Sequence, residues 1–185
     1  MHLSHTLHFI FRALDNLILQ IGRLFTDMTF NVTRPNGTKL NALVEVTLDR
    51  VLKAVLIFKG LMIEWVVVKG FAEESVSTDG GVVDVWSDSR YKVFRKITEN
   101  ANAAMLNFAS PVYPEVAVKS FMVRSVIDLF LFFLQMVCFF QTYLHSFVNL
   151  FTDKCKKCGC HLHNYLPPTW RDFKNLEPFH EDCRP

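Results

Sequence analysis

Two pairs of metal-binding residue types near the C-terminus constrain this chain more than any other feature of its sequence. Cys155 and Cys158 form the first pair, and His180 and Cys183 form the second, each with two residues between its members. Gly159 can adopt the left-handed turn that directs backbone amides toward the sulfurs of the first pair. Residues three apart share a face of a helical turn, so the second pair can offer both ligands from one side. The four residues predict a closed tetrahedral zinc site with a structural role and donor atoms within about 4 Å of one another.

Three neighbouring residues, Cys160, His161 and His163, compete as ligands in this interpretation. Either histidine would form a cramped loop with Cys158 and would leave His180 without a role, so the first set is preferred. A remaining alternative is a tail of reduced cysteines with a packed histidine.

The segment between the two pairs has too little apolar mass to fold alone. Pro167 and Pro168 make it rigid, and Thr169 is a plausible helix N-cap with Asp172 three residues later in a capping-box arrangement. A bound ion would therefore supply much of the folding energy of this tail.

Upstream, period-two alternation of apolar residues predicts four consecutive strands. The first two are joined by strong turn chemistry at 34–37 and the last two at Lys59-Gly60. Four strands with short connections favour an α+β fold built on an antiparallel β-meander, with flanking helices and a small C-terminal zinc-binding tail. The predicted strands cover residues 28–32, 40–48, 51–58 and 61–68.

Helical spacing of apolar residues predicts two amphipathic helices packed on this sheet, over residues 14–25 and 88–109. The second is opened by Ser87 or Ser89 and stopped before Pro111, and another helix should begin near Pro114. The resulting organisation is an N-terminal helix, the sheet with its helices, a hydrophobic insertion, and a helix with the zinc-binding tail. Their ranges are 1–27, 28–122, 123–141 and 142–185.

Several stretches together resemble the Mediator complex subunit 27 family, over roughly residues 14–122 and 142–185. They are Thr33–Thr38, Val68–Phe71, Asp84–Ser87, Val118–Met122, Leu166–Phe173, 176–180 and Cys183-Arg184. The resemblance implies a non-catalytic subunit of the nuclear Mediator coactivator, which bridges transcription activators and RNA polymerase II. Its implied partners are other Mediator subunits and, indirectly, activators and the polymerase, without direct nucleic-acid or membrane contact. Residues 1–13 match nothing in the family, and the family's N-terminal helical half is missing, which suggests an incomplete gene model or an alternative transcript.

Residues 123–141 do not fit this resemblance, in which Met122 should run directly into Thr142. Our hypothesis is that these nineteen residues are a translated retained intron. Val123-Arg124 can be encoded with a splice donor, and Phe140-Gln141 can end a pyrimidine tract with an acceptor. A genuine helical insertion and a membrane segment are the alternatives. The apolar run 126–140 has only 15 residues and includes two polar ones, which is short of the ~20 residues that span a bilayer.

No catalytic constellation is present in the sequence, since Glu64, Asp128 and His145 are scattered and belong to no known motif. We therefore expect that this chain is not an enzyme. A nucleic-acid-binding zinc module is the alternative function, because residues 151–185 contain six basic side chains. Five acidic side chains and the net charge of a three-thiolate zinc site cancel that charge, leaving a poor surface for phosphates. The basic residues are Lys154, Lys156, Lys157, Arg171, Lys174 and Arg184.

Overall fold

A computed structural model describes most of the sheet, the central helix and the whole C-terminal tail. The described residues are 15–16, 18–20, 22–34, 41–59, 62–74, 84–109, 137–138 and 140–185. The helix expected near Pro114 lies outside these ranges, as do most of the turn predicted at 34–37 and most of the insertion at 123–141.

Four antiparallel strands form one sheet in the order β1-β2-β3-β4, which confirms the predicted meander. Burial alternates along β2, with Ala42, Val44, Val46 and Leu48 buried, as its period-two sequence predicts. β3 is buried more continuously, and its register with β4 shifts between Ile57 and Phe58. The strands are β1 (Met28–Thr33), β2 (Asn41–Leu48), β3 (Leu52–Lys59) and β4 (Met62–Gly70).

A central helix, Lys92–Ala109, packs beside β4 and covers the free edge of that strand. Thr98 Oγ1 accepts a hydrogen bond from the backbone N–H of Val68 (2.9 Å), and Asn102 bonds both the N–H and the carbonyl of Val66 (3.1 and 2.8 Å). These side chains replace the backbone partners of a further strand, so this edge is protected against strand addition.

The central helix begins a few residues later than the sequence predicted, because Ser89 and Arg90 are held by the end of the sheet. The Ser89 hydroxyl and the Arg90 backbone N–H both donate to the buried carboxylate of Glu73 (2.6 and 2.9 Å). Burial raises the pKa of Glu73, but hydrogen bonds from Ser89, Gly70 and Arg90 outweigh burial and the pKa falls below its usual value. Ser89 also accepts from the N–H of Tyr91, so it acts as a cap just before the helix.

Further helical residues flank the sheet near both ends of the chain. Residues 15–16, 18–20 and 22–24 are helical, in agreement with the predicted N-terminal helix, and so are 137–138 and 140–145. The second segment contributes buried aromatic residues to the same core as the strands and the central helix. Within the described ranges, no helix combines the length and apolar character that crossing a bilayer requires. The buried apolar residues of the second segment and the turns after it are Val137, Phe140, Tyr143, Leu144, Phe147 and Leu150.

Candidate metal centre

The first cysteine pair lies on a tight loop whose backbone points at the sulfurs. The N–H of Gly159 donates to the carbonyl of Cys155 (2.8 Å), and Gly159 has the positive φ of 72° that the sequence suggested. Burial raises the pKa of the Cys155 thiol, but backbone N–H groups of Cys158, His180 and Lys157 directed at its sulfur outweigh that effect and lower the pKa to about 6. The loop therefore favours a thiolate at Cys155, the form that binds metal.

The second pair is presented by a short hairpin and one helical turn. Strands β5 (Trp170–Arg171) and β6 (Pro178–Phe179) pair antiparallel, and a 3₁₀ turn follows at Glu181–Cys183. The N–H of Cys183 donates to the carbonyl of His180 (2.9 Å), which brings both side chains to one side, as predicted. The backbone N–H of Lys156 donates to the carbonyl of Pro178 (3.0 Å), so the loop and the hairpin are joined directly.

The structure brings the four predicted residues, Cys155, Cys158, His180 and Cys183, into one cluster. Their donor atoms all lie within 4.8 Å of one another, and Cys158 Sγ is 3.4 Å from His180 Nδ1. The expected limit of about 4 Å was too tight, since the separations between these atoms extend to 4.8 Å. Such a group of three thiols and one imidazole can hold a metal ion.

Electrostatics within the cluster favour a cation. Burial, hydrogen bonds to the sulfurs of Cys155 and Cys158, and the negative charge of those sulfurs raise the pKa of Cys183 to about 11. Three thiolates at this separation repel one another, whereas a divalent cation between them reverses that repulsion.

The three competing residues all point elsewhere. Cys160 Sγ lies 3.6 Å from the carbonyl of Cys158, and His161 Nδ1 lies 3.3 Å from the carbonyl of Asp153. His163 Nε2 lies 3.2 Å from Asp182 Oδ2. All three side chains are exposed, so the structure does not bring them into the cluster.

Thr169 is not the helix cap that the sequence suggested. The next two residues form β5, and Asp172 instead accepts hydrogen bonds from the N–H groups of Lys174 and Asn175 (2.9 and 3.0 Å). The pairing of Trp170 with Phe179 prevails over the local capping pattern, and it places His180 directly after the end of β6.

Arg171 joins the zinc-binding tail to the helical segment and turns before it, and the sequence did not predict this role. Its side chain is 0% exposed and donates to the carbonyls of Ser146 (3.1 Å) and Pro168 (2.9 Å) and to Asp153 Oδ2 (2.8 Å). The guanidinium also lies 4.5 Å from the centre of the Phe147 ring. These partners are distant in sequence apart from Pro168, so no local pattern could have identified them.

Asn100 forms a second attachment between the central helix and the tail. Its amide donates to the carbonyl of Thr169 (3.0 Å) and to Glu181 (2.7 Å), while its oxygen accepts from Arg184 (3.3 Å). The sequence did contain a signal, since Asn100 is polar but lies beside the apolar stripe of its helix.

Comparison with known proteins gives one consistent family. The family model described as Mediator complex subunit 27 matches residues 83–131 and 130–184, which together cover more than half of the chain.

Curated relatives called Mediator of RNA polymerase II transcription subunit 27 include one from Aedes aegypti, 44% identical over 94% of this chain and 50% of the relative. One from Drosophila melanogaster is 46% identical over 84% of this chain and 44% of the relative. One from Danio rerio is 41% identical over 92% and 48%. The chain spans about half the length of the curated relatives it matches.

Proposed function

The chain belongs to the Mediator complex subunit 27 family, and we propose that it is a non-catalytic subunit of the Mediator coactivator. In that role it bridges, with other Mediator subunits, the transcription activators and RNA polymerase II in the nucleus. The family match is the observation that carries the proposal. Support for a non-catalytic role comes from the buried polar side chains, since Glu73, Asn100 and Arg171 all serve contacts that join one element to another.

The cluster of Cys155, Cys158, His180 and Cys183 is proposed to bind structural zinc. Three sulfurs and one imidazole are a donor set that Zn²⁺ prefers, and four protein ligands leave no position for a catalytic water. Cys158 Sγ and His180 Nδ1 lie 3.4 Å apart. A tetrahedral zinc with a Zn–S bond of about 2.3 Å and a Zn–N bond of about 2.0–2.1 Å would hold the two atoms ~3.5 Å apart. The ion would supply charge neutralisation and fix the loop against the hairpin.

The alternative, an independent nucleic-acid-binding zinc module, is poorly supported by the charges of the tail. Arg171 is buried against Asp153, Lys156 pairs with Glu177 (3.4 Å), and Arg184 pairs with Glu181. Half of the six basic side chains are therefore neutralised inside the tail, which leaves a weak surface for phosphates.

Affinity purification of the tagged full-length chain from nuclear extract tests the proposal. We expect Mediator subunits to co-purify in near-stoichiometric amounts, as measured by quantitative mass spectrometry, and to remain bound at a salt concentration that removes nucleic-acid binders. Recovery of the chain without Mediator subunits, together with tight and salt-dependent duplex binding, would support the alternative.

We further propose that residues 123–141 are an insertion produced by intron retention. The last residues of this insertion resemble residues 118–122, which would otherwise precede Thr142. Val137, Phe140 and Gln141 repeat the spacing of Val118, Phe121 and Met122 nineteen residues earlier. Val137 and Phe140 are buried in the core, which is compatible with their taking the places of the earlier valine and phenylalanine. The family model also matches the chain in two stretches that meet within 123–141.

Gln141 is the position at which the two stretches differ in polarity. It occupies a buried position where Met122 would lie after removal of the insertion. It is 1% exposed, and its Oε1 atom has no hydrogen-bond partner within the described part of the chain. Sequencing the gene and the transcript tests the origin of the segment. Every valine codon begins with GT, so the decisive codon is that of Gln141, and CAA in place of CAG would exclude intron retention.

Replacing Gln141 with methionine should stabilise the chain by about 1–3 kcal/mol, because it removes a buried side-chain oxygen, Oε1, that has no hydrogen-bond partner among the described residues. The midpoint of urea unfolding measures the effect. Thr142→Met, on the exposed side of the same helical segment, is the control and should change stability by less than about 0.5 kcal/mol. A loss of stability in Gln141→Met would show that the amide is satisfied and that the position is not suited to methionine.

A further inference from the structure

Asn100 lies where the central helix meets the turn that carries two of the candidate metal ligands. Its side chain is 5% exposed. Nδ2 donates to the carbonyl of Thr169 (3.0 Å) and to Glu181 Oε1 (2.7 Å), and Oδ1 accepts from Arg184 (3.3 Å). A side-chain amide has two N–H donors and one acceptor oxygen, so both kinds of group are in use. All three contacts reach the tail, 69 to 84 positions later in the chain.

Two of these partners are the residues that directly follow the ligands of the turn. Glu181 follows His180 and begins the 3₁₀ turn, and Arg184 follows Cys183 and forms its C-cap. Glu181 and Arg184 also pair with each other. His180, at the N-cap position, makes no capping hydrogen bond with its side chain. The amide of Asn100 therefore binds side chains at both ends of the segment that presents the imidazole and the second thiol.

The helix gives Asn100 a fixed base, because residues on both sides of it bind the sheet. Thr98 Oγ1 accepts from the backbone N–H of Val68 (2.9 Å), and Asn102 bonds the N–H and the carbonyl of Val66 (3.1 and 2.8 Å). A site is held more accurately when its supporting residues lie on a helix or strand than when they lie on loops. Asn100 thus connects the ligand turn to a part of the molecule that the sheet already holds in place.

Contacts that orient ligands contribute to metal affinity even when they do not touch the ion. Loss of an outer hydrogen-bond partner of a ligand costs 10–100-fold in affinity. In a small tail, folding and metal binding are coupled, so a contact that holds the folded turn also adds to the affinity. The contacts of Asn100 with Glu181 and Arg184 are of this kind, because they hold the residues beside His180 and Cys183.

We propose that Asn100 is a positioning residue of the metal centre, which holds the turn of His180 and Cys183 in the geometry that binds zinc. The central helix thereby sets the zinc affinity of the tail without supplying a ligand. This inference rests on the proposed zinc site.

The zinc affinity of the purified chain, measured by competition with a chromogenic chelator, tests the proposal. Asn100→Ala should weaken zinc binding by about tenfold, the lower end of the range for an outer partner, because Asn100 contacts the neighbours of the ligands. Asn102→Ala is the matched control, since it removes the same amide from the same helix, but that amide binds Val66 and Thr98 and not the tail. It should change zinc affinity by less than about twofold.

An exchange of donor and acceptor separates positioning from a general loss of stability. Asn100→Asp places a carboxylate against the carboxylate of Glu181, so zinc binding should again weaken by about tenfold. Adding Glu181→Gln to that variant restores a donor and an acceptor in the opposite direction. The second change should recover zinc affinity by about threefold, because the two residues are in contact and their effects are coupled.

The unchanged chain, measured in the same way, separates the possible failures. If it binds zinc, an unchanged affinity in Asn100→Ala would overturn this inference and leave the zinc site standing. Equal losses in Asn100→Ala and Asn102→Ala would do the same, as would a failure of Glu181→Gln to recover affinity in Asn100→Asp. If the unchanged chain binds no zinc, the zinc site and this inference are both wrong.

Discussion

Replacing Cys183 with serine should weaken zinc binding by more than about 100-fold, whereas Cys160→Ser should leave it unchanged. Loss of an outer hydrogen-bond partner already costs 10–100-fold in metal affinity, so loss of a ligand should cost more. Cys160 is a matched control, because it is a cysteine of the same loop whose sulfur lies outside the cluster. Competition with a chromogenic chelator measures the affinities. Equal zinc loss from both variants would show that the ligands are assigned wrongly.

The structural consequence of losing zinc should be confined to the tail. Residues 155–183 contain few buried apolar side chains of their own, so their backbone amides should exchange rapidly with solvent in Cys183→Ser. The strands β1–β4 share a large core with the central helix and should keep their protection. Hydrogen exchange monitored by mass spectrometry distinguishes the two regions, and global loss of protection would contradict the account.

Replacing Arg171 with methionine should destabilise the chain by about 2–4 kcal/mol, because its buried guanidinium bonds two backbone carbonyls and the partly buried carboxylate of Asp153, and all three would lose a charged donor. The carbonyls of Ser146 and Pro168 and the carboxylate of Asp153 would each lose a donor. Chemical denaturation of the zinc-loaded chain measures the change in unfolding free energy.

Two further variants sharpen this prediction. Arg171→Lys keeps the charge but loses the planar fork that reaches three acceptors, so it should recover little of the lost stability. Lys174→Met removes an exposed cation of the same tail and should cost less than about 0.5 kcal/mol. A destabilisation below about 1 kcal/mol in Arg171→Met would mean that the tail is held mainly by its other contacts.

The sequence predicted the parts of the fold that depend on local patterns. The alternation through Ala42, Val44, Val46 and Leu48 sets the face of β2, and the meander follows because consecutive strands are connected by short turns. The four clustered residues were also found from spacing, because one short loop and one helical turn each bring two ligands to the same side.

What the sequence did not predict depends on contacts between distant residues. Glu73 delays the start of the central helix through Ser89, which is 16 residues away, and no helix-start rule contains that information. Arg171 has partners 25 and 18 residues away, at Ser146 and Asp153. Thr169 matched a capping pattern, but the pairing of the following residue with Phe179 prevailed over it.

Zinc K-edge X-ray absorption of the purified chain tests the ligand assignment, since it identifies and counts the atoms bound to the ion. We expect one zinc per chain, bound by three sulfurs at about 2.3 Å and one nitrogen at about 2.0–2.1 Å. A shell of four sulfurs would place Cys160 at the metal instead of His180, and a shell with two nitrogens would bring in His161 or His163. Either result would contradict the centre formed by Cys155, Cys158, His180 and Cys183.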